Sequence, residues 1–504
     1  MRILAVYPHL KSGEKKTDTK RYFPWGFATV LSCLKNDGHQ IRLIDAYGED
    51  LVRSEVEVLL DKEPFDCVCV SGFASMNYVF VCWLSEIIKK RFGKPVIVGG
   101  VLADHHFNLL LSKKYADICV LGEGEKTAVE LMRNLDSLDS VKGIAYLKDG
   151  KVKVNEKNKI IENLDDLSMP DFDLWNMPRY TTGDNLWLDD KTTRIEGFDD
   201  DFYDDLDKFK PNMSIFAGRG CPYSCKFCSK SFENFRVKSI PRIIKEMKLL
   251  KDRFGIKAFH FYDELLIYRK DRTIEFCKAV KDIDVYWDCQ ARVNTINKDI
   301  LSILKASNCI SVGLGFESGS NKMLKAMNKC ITREQSLEVL RGIKETGMHV
   351  KLQFMFGYPG ENIHTVKETI VLVEKSALPP RRMLWCTPLP GSPLYDEAVR
   401  DGIVKDEETH LKNLAKGMNH PGHVFANVSG SSDRKMASLY LWAHMMMEFN
   451  YLKIILWKYK NPKNLVVRNS ILRLLRYTAA YFGLGPVCAK VYHKLKNLSK
   501  KSSR

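Results

Sequence analysis

Cys221, Cys225 and Cys228 are the residues of this chain best placed to do chemistry. They stand in Ala217-Gly-Arg-Gly-Cys-Pro-Tyr-Ser-Cys-Lys-Phe-Cys-Ser229, a C-x3-C-x2-C cluster. Soft thiolates select zinc or an iron–sulfur cluster. A structural zinc site takes four ligands and closes its coordination sphere. Neither a His nor a fourth Cys follows at finger-like spacing, so a structural zinc would need a distant fourth ligand. Three ligands leave one metal position open, which suits reactivity better than scaffolding. A disulfide framework does not suit a chain of 504 residues whose N-terminus, Met1-Arg-Ile-Leu-Ala-Val-Tyr7, reads as a buried strand rather than a leader.

The cluster needs elements to hold it. Strands and helices alternate from residue 1 to about 150. Strands are expected at Arg2–Tyr7, Gln40–Asp45, Asp66–Ser71, Pro95–Gly99 and Asp117–Leu121, and helices at Phe23–Asn36 and Tyr78–Phe92. Near-continuous apolar strands separated by helices predict an α/β fold with a doubly wound parallel sheet. Ligands of such sheets sit at the carboxyl ends of the strands. The loops there include Ser71-Gly-Phe-Ala-Ser75, Gly99-Gly100 and Gly122-Glu-Gly-Glu125, whose glycines let a flat ligand approach the backbone. Residues 151–208 read as a linker, with a solvated acidic run at Asp199–Asp205. From 209 to 404 the alternation resumes, with strands ending near Ile215, His260, Tyr286, Gly313, Gln353 and Leu384. Six units are too few for an eight-fold barrel and predict a partial (β/α)6 barrel. The cysteine loop would follow its first strand.

Residues 405–504 read as a helical, basic C-terminal region. The net charge is +16, yet Tyr451–Arg504 carries 13 Lys and Arg with no Asp or Glu, leaving +3 for everything before it. The stretch Asn464–Phe482 reads as a helix, and its three arginines argue against a membrane-spanning one. Two readings stand: a basic helix in peripheral contact with an anionic membrane through residues 451–504, or a cap over the barrel with a solvated face. No RNA-binding module accompanies the charge, so nucleic acid is not an expected partner. Most of the 14 cysteines are scattered singly in apolar surroundings, as in a reducing cytoplasm.

The cysteine spacing resembles that of the radical S-adenosylmethionine (SAM) superfamily. Later segments resemble it too, in order: Phe259-His-Phe-Tyr-Asp-Glu264, Trp287-Asp-Cys-Gln-Ala-Arg292, Gly313-Leu-Gly-Phe-Glu-Ser-Gly-Ser320, Phe354-Met-Phe-Gly-Tyr-Pro-Gly-Glu361 and Pro388–Tyr395. Residues 1–150 resemble the B12-binding-like domain in front of many such proteins, through Pro24-Trp-Gly26, Gly38-His39, Ile97-Val-Gly-Gly100 and Gly122-Glu-Gly-Glu125. The Asp-x-His-x-x-Gly loop that ligates cobalt in classical cobalamin proteins is missing. Asp37-Gly-His39-Gln-Ile-Arg42 looks similar, but ends in Arg and precedes the second strand, so His39 reads as a turn residue.

The resemblance implies a [4Fe-4S] cluster on Cys221, Cys225 and Cys228, with SAM on the free iron. It places Phe227 near the adenine, and Asp263 or Glu264 at the SAM amino group. Arg292 would face the SAM carboxylate or the substrate, Glu317 and Ser318 the ribose or methionyl part, and Gly357 the adenine. The cluster would pass one electron to SAM, giving methionine and a 5′-deoxyadenosyl radical that removes hydrogen from an unreactive carbon. The implied function is cobalamin-dependent methylation of an unactivated carbon. A cobalamin-free enzyme that cyclises, rearranges or oxidises a lipid, glycan or secondary metabolite stands as the alternative. An electron donor such as flavodoxin or ferredoxin is the implied partner. The extra cysteine triad and C-terminal β-barrel of tRNA methylthiotransferases are absent from the sequence.

Overall fold

The computed structural model describes residues 1–10, 12–16, 21–182, 206–376 and 383–458, with scattered positions between 471 and 478. The acidic run at 199–205 and most of the stretch 464–482 lie outside them.

The first sheet has seven strands in the order β2-β1-β3-β4-β5-β6-β7. Its parallel part is β1 (Arg2–Tyr7), β2 (Gln40–Asp45), β3 (Cys67–Ser71), β4 (Val96–Gly99) and β5 (Ile118–Val120). Every residue of β3 is buried, as the Cys-Val-Cys-Val run requires of a strand covered on both faces. Two antiparallel strands, β6 (Ile144–Lys148) and β7 (Lys151–Val154), continue the sheet past residue 150. Asp149 and Gly150 between them both have positive φ, 51° and 75°. That is the two-residue turn that Asp-Gly favours, and it closes the hairpin. The helix Arg53–Leu60, which local patterning does not mark, joins β2 to β3. The helix expected at 78–92 is α-helical over Tyr78–Ile87 and widens to a π-turn at Ile88–Phe92.

The linker carries part of the core. Phe172, Trp175 and Tyr180 are buried and pack edge-on against Phe23 and Trp25.

The second sheet is an open half-barrel of six parallel strands, ordered β15-β14-β13-β12-β11-β8. These are β8 (Asn212–Ile215), β11 (Ala258–Phe261), β12 (Tyr286–Arg292), β13 (Cys309–Glu317), β14 (Val350–Phe356) and β15 (Leu384–Trp385). Two short strands, β9 (Gly218–Arg219) and β10 (Arg236–Val237), pair antiparallel between β8 and β11. One continuous apolar core runs through both sheets, from Ile3 and Tyr7 to Met213, Phe259 and Phe316. The front segment also seals the edge strand β8: the Phe23 N–H donates to Ser214 Oγ (3.0 Å), and Trp25 Nε1 donates to the Ser214 carbonyl (2.8 Å).

The helix Asp433–Lys458 caps the half-barrel. Its Met436, Tyr440, Ala443 and Met447 are buried in the same core, and Tyr440 stacks on Trp385 at 5.7 Å. Among the described residues, no helix is long and apolar enough to cross a membrane.

Candidate functional site

The cysteine loop leaves the half-barrel at the carboxyl end of β8. Asp263, at the end of β11, spends both carboxylate oxygens on the Ala217 N–H, each at 3.0 Å. Burial pushes this carboxyl up to about 7, because three backbone N–H groups and Lys238 only partly offset desolvation. Asp263 is therefore committed to holding the strand exit. The β9–β10 pairing closes the base of the loop, where Gly220 has φ 79° and a Cβ would lie 2.5 Å from the Asn234 carbonyl oxygen.

Loops of later strands hold the rest of the segment. The Lys226 N–H donates to the Met327 carbonyl (3.0 Å), Asn328 Nδ2 to the Ser224 carbonyl (2.8 Å) and Ser229 Oγ to the Pro390 carbonyl (2.7 Å). The Lys226 carbonyl accepts from the Leu394 N–H (2.9 Å). The Pro388–Tyr395 segment thus grips the loop at two points.

All three sulfurs are free thiols on this one loop, with Cys225 the buried member. Among the described residues, no three His, Cys, Asp or Glu side chains are arranged as a ready metal nest. Burial raises the Cys221 thiol, and the nearby Arg292 guanidinium works against that rise. Arg292 Nη1 lies 3.2 Å from Cys225 Sγ, and its other nitrogen bonds the Lys329 carbonyl. A soft three-thiol set fits an iron–sulfur cluster, and the cation beside it offsets the charge of ligating thiolates.

The other predicted residues surround this loop. Glu264 accepts from the Ser231 N–H at 3.2 Å. Glu317 ends β13 with φ 59°, and Lys329 Nζ sits 2.7 Å from its carboxylate. Ser318 is buried, 3.2 Å from Thr369 Oγ1. Gly357 has φ 80°, and a Cβ there would come within 2.7 Å of Trp385 Nε1, a buried donor without a partner among the described residues. Its N–H donates to Glu361 at 2.5 Å. Phe227 packs against the apolar cluster that holds Met323, Tyr358 and Cys386, and Lys329 Nζ lies 5.8 Å from its ring.

A cavity of about 400 Å³ opens where the carboxyl ends of the first sheet face the cysteine loop. Tyr7, Phe73 and Gly122 line one side, and Phe216, Arg219, Tyr262 and Glu264 line the other. Gly122 has φ 74° and open space where a Cβ would stand, which leaves room for a flat ligand. Tyr7 stacks on Phe73 at 4.7 Å, and Tyr22 meets Tyr262 at the same spacing across the two halves. No histidine is among the described residues that line the cavity. His39 lies at the amino ends of the strands, 3.4 Å from the Met1 amino group and 3.5 Å from Asp37. The donor set suits a corrin held without a histidine ligand.

Four charged residues carry no mark in the sequence of the role they take here. Arg219 lies 3.0 Å from Glu123 and also pairs with Glu125, while Arg236 grips Glu123 at 2.6 and 3.1 Å. Burial pushes the Glu123 carboxyl up, but the two arginines and the Ile161 N–H outweigh it and hold it below its ordinary value. The Gly-Glu-Gly-Glu run stands out for its glycines, and nothing local marks its carboxylates as partners for a loop a hundred residues away.

Residues 215–373 match the radical SAM superfamily model and residues 18–132 the B12 binding domain model. The chain is 28% identical over 417 residues to the uncharacterized methyltransferase PH0819 of Pyrococcus horikoshii, covering 80% of this chain and 84% of that one. It is 26% identical over 412 residues to the anaerobic magnesium-protoporphyrin IX monomethyl ester cyclase of Rubrivivax gelatinosus, covering 79% and 70%. Among solved structures, the radical SAM methyltransferase TsrM of Kitasatospora setae, with cobalamin and a [4Fe-4S] cluster bound, matches with a TM-score of 0.60. That match is at 16% identity over 80% of this chain and 75% of that one. The motifs, the two-sheet fold and the matched models together identify the chain as a radical SAM enzyme with an N-terminal B12-binding domain.

Proposed function

We propose that this enzyme methylates an unactivated carbon, using a [4Fe-4S] cluster, SAM and cobalamin. The observation that carries the reading is the shared cavity. Its walls come from the carboxyl ends of the B12-binding sheet on one side, and on the other from the flanks of the cysteine loop, Arg219, Gly220 and Phe232 among them, and from Tyr262 and Glu264 just after β11. A methyl carrier and a radical generator placed on those two walls would face the same substrate.

When bound, the cluster and SAM supply a 5′-deoxyadenosyl radical, and cobalamin supplies a transferable methyl group. Cys221, Cys225 and Cys228 would hold the cluster. Asp263 fixes the strand exit, which leaves Glu264 as the carboxylate available to the SAM ammonium. Glu317, Ser318, Gly357 and Phe227 would take the remainder of SAM, with Arg292 between SAM and the cysteines. Tyr262 and Phe216 line the cavity and would present apolar surface to the reaction space. A flavodoxin or ferredoxin would deliver the electron.

Anaerobic reconstitution with iron, sulfide, dithionite, SAM and hydroxocobalamin tests this reading. Both 5′-deoxyadenosine and S-adenosylhomocysteine should form. If neither forms, the enzyme reading fails. If 5′-deoxyadenosine forms alone, in protein that takes up no corrinoid, the chemistry is cobalamin-free.

A further inference from the structure

The Glu123–Arg219–Glu125–Arg236 group joins the two cofactor regions through buried charge. Arg219 and Arg236 stand directly opposite each other on β9 and β10, the rung that closes the base of the cysteine loop. Glu123 stands at the N-cap, and Glu125 in the first turn, of the helix Gly124–Arg133 that follows β5, and this helix start forms a wall of the cavity. All four side chains are at most 11% exposed. Two arginines facing each other on a rung repel unless carboxylates lie between them. Removing one member of such a buried group leaves an uncompensated charge, so the wall and the rung hold each other in register. The Arg219 guanidinium also lies over the ring of Phe232, another lining residue, at 5.1 Å.

We infer that Arg219, held by Glu125 and Glu123, is a positioning residue that couples corrinoid binding in the cavity to assembly of the iron–sulfur cluster on the neighbouring loop. The inference rests on the cobalamin reading above. An occupant that fixes the helix start at Glu123–Glu125 fixes the base of the cysteine loop, and by linkage a cluster on that loop tightens the corrinoid by the same factor.

The test uses the full-length protein, titrated anaerobically with hydroxocobalamin before and after cluster reconstitution. The cluster-loaded form should bind at least about fivefold more tightly, the low end of typical coupling. Reciprocally, hydroxocobalamin should slow loss of iron to a chelator. In Glu125→Gln the affinity ratio should fall towards one, while exposed Lys126→Gln keeps it. Should Glu125→Gln fail to fold, Arg219→Lys serves: it keeps the charge, loses the fork and should also lower the ratio. Equal affinities in the two wild-type forms, or a full ratio in the folded variant, would overturn the coupling alone. A wild-type protein that binds no corrinoid in either form would overturn the cobalamin reading as well.

Discussion

The guanidinium carbon of Arg292 lies 3.8 Å from the centre of the Tyr223 ring while its Nη1 reaches to 3.2 Å from Cys225 Sγ. One side chain from β12 thus clamps two residues of the cysteine loop. Both contacts use the flat guanidinium face and fork, which lysine lacks. Arg292→Lys should therefore lower cluster retention about tenfold, equivalent to about 1.4 kcal/mol. Iron and sulfide per chain after reconstitution and gel filtration would measure it. Full retention would remove Arg292 from the cluster's support.

Cys225 is the buried member of the trio. Cys225→Ala should abolish both the visible absorbance of the reconstituted cluster and the formation of 5′-deoxyadenosine. Turnover by this variant would refute the ligand assignment.

Gly357 and Gly360 make an internal comparison. Both have positive φ, 80° and 81°, but a Cβ meets Trp385 only at Gly357. Alanine at either position bears a backbone penalty of about 1–2 kcal/mol. Gly357→Ala should lose more, and should weaken SAM binding in equilibrium dialysis, whereas Gly360→Ala should change urea stability alone.

Burial pushes Glu361 up from 4.5 to about 7. The folded chain keeps that proton between these values while the unfolded chain releases it. Stability contributed by this group is therefore present at low pH and falls as pH rises through the window. The change is of the order of 3 kcal/mol at full ionisation, since each tenfold difference in proton affinity is worth about 1.4 kcal/mol. Glu361→Gln keeps an acceptor for the Gly357 N–H and should flatten the stability profile between pH 5 and 8. An unchanged slope would assign the pH dependence to other groups.

His39 sits at the far ends of the strands from the cavity. His39→Gln should leave hydroxocobalamin affinity unchanged within twofold. A large loss would mean that the corrinoid binds elsewhere than in the cavity.

Local patterning carried much of this structure. The apolar runs at Arg2–Tyr7 and Gln40–Asp45 became strands with the expected bounds, and the cysteine spacing located the site loop. The β6–β7 hairpin was legible in principle from Asp149-Gly150, yet the partly exposed, Lys-rich Lys151–Val154 offers little apolar pattern and looks like linker. The two-residue strands β9 and β10 were not legible. They exist because Asp263, Glu123 and Glu125 fix the chain around them, and those contacts are long-range. For the same reason Asp263 looks in sequence like a free strand-end carboxylate, while in the fold its oxygens belong to Ala217.

The two bonds from Phe23 and Trp25 to Ser214 bear on how the barrel stays soluble while it folds. An unsealed edge strand invites pairing with other chains. A barrel made without the front third of this protein would leave the Ser214 carbonyl and hydroxyl on edge strand β8 without these partners, a species more prone to aggregate. The front domain is in this sense a built-in chaperone of the barrel, shielding β8 whether or not its own cavity is filled.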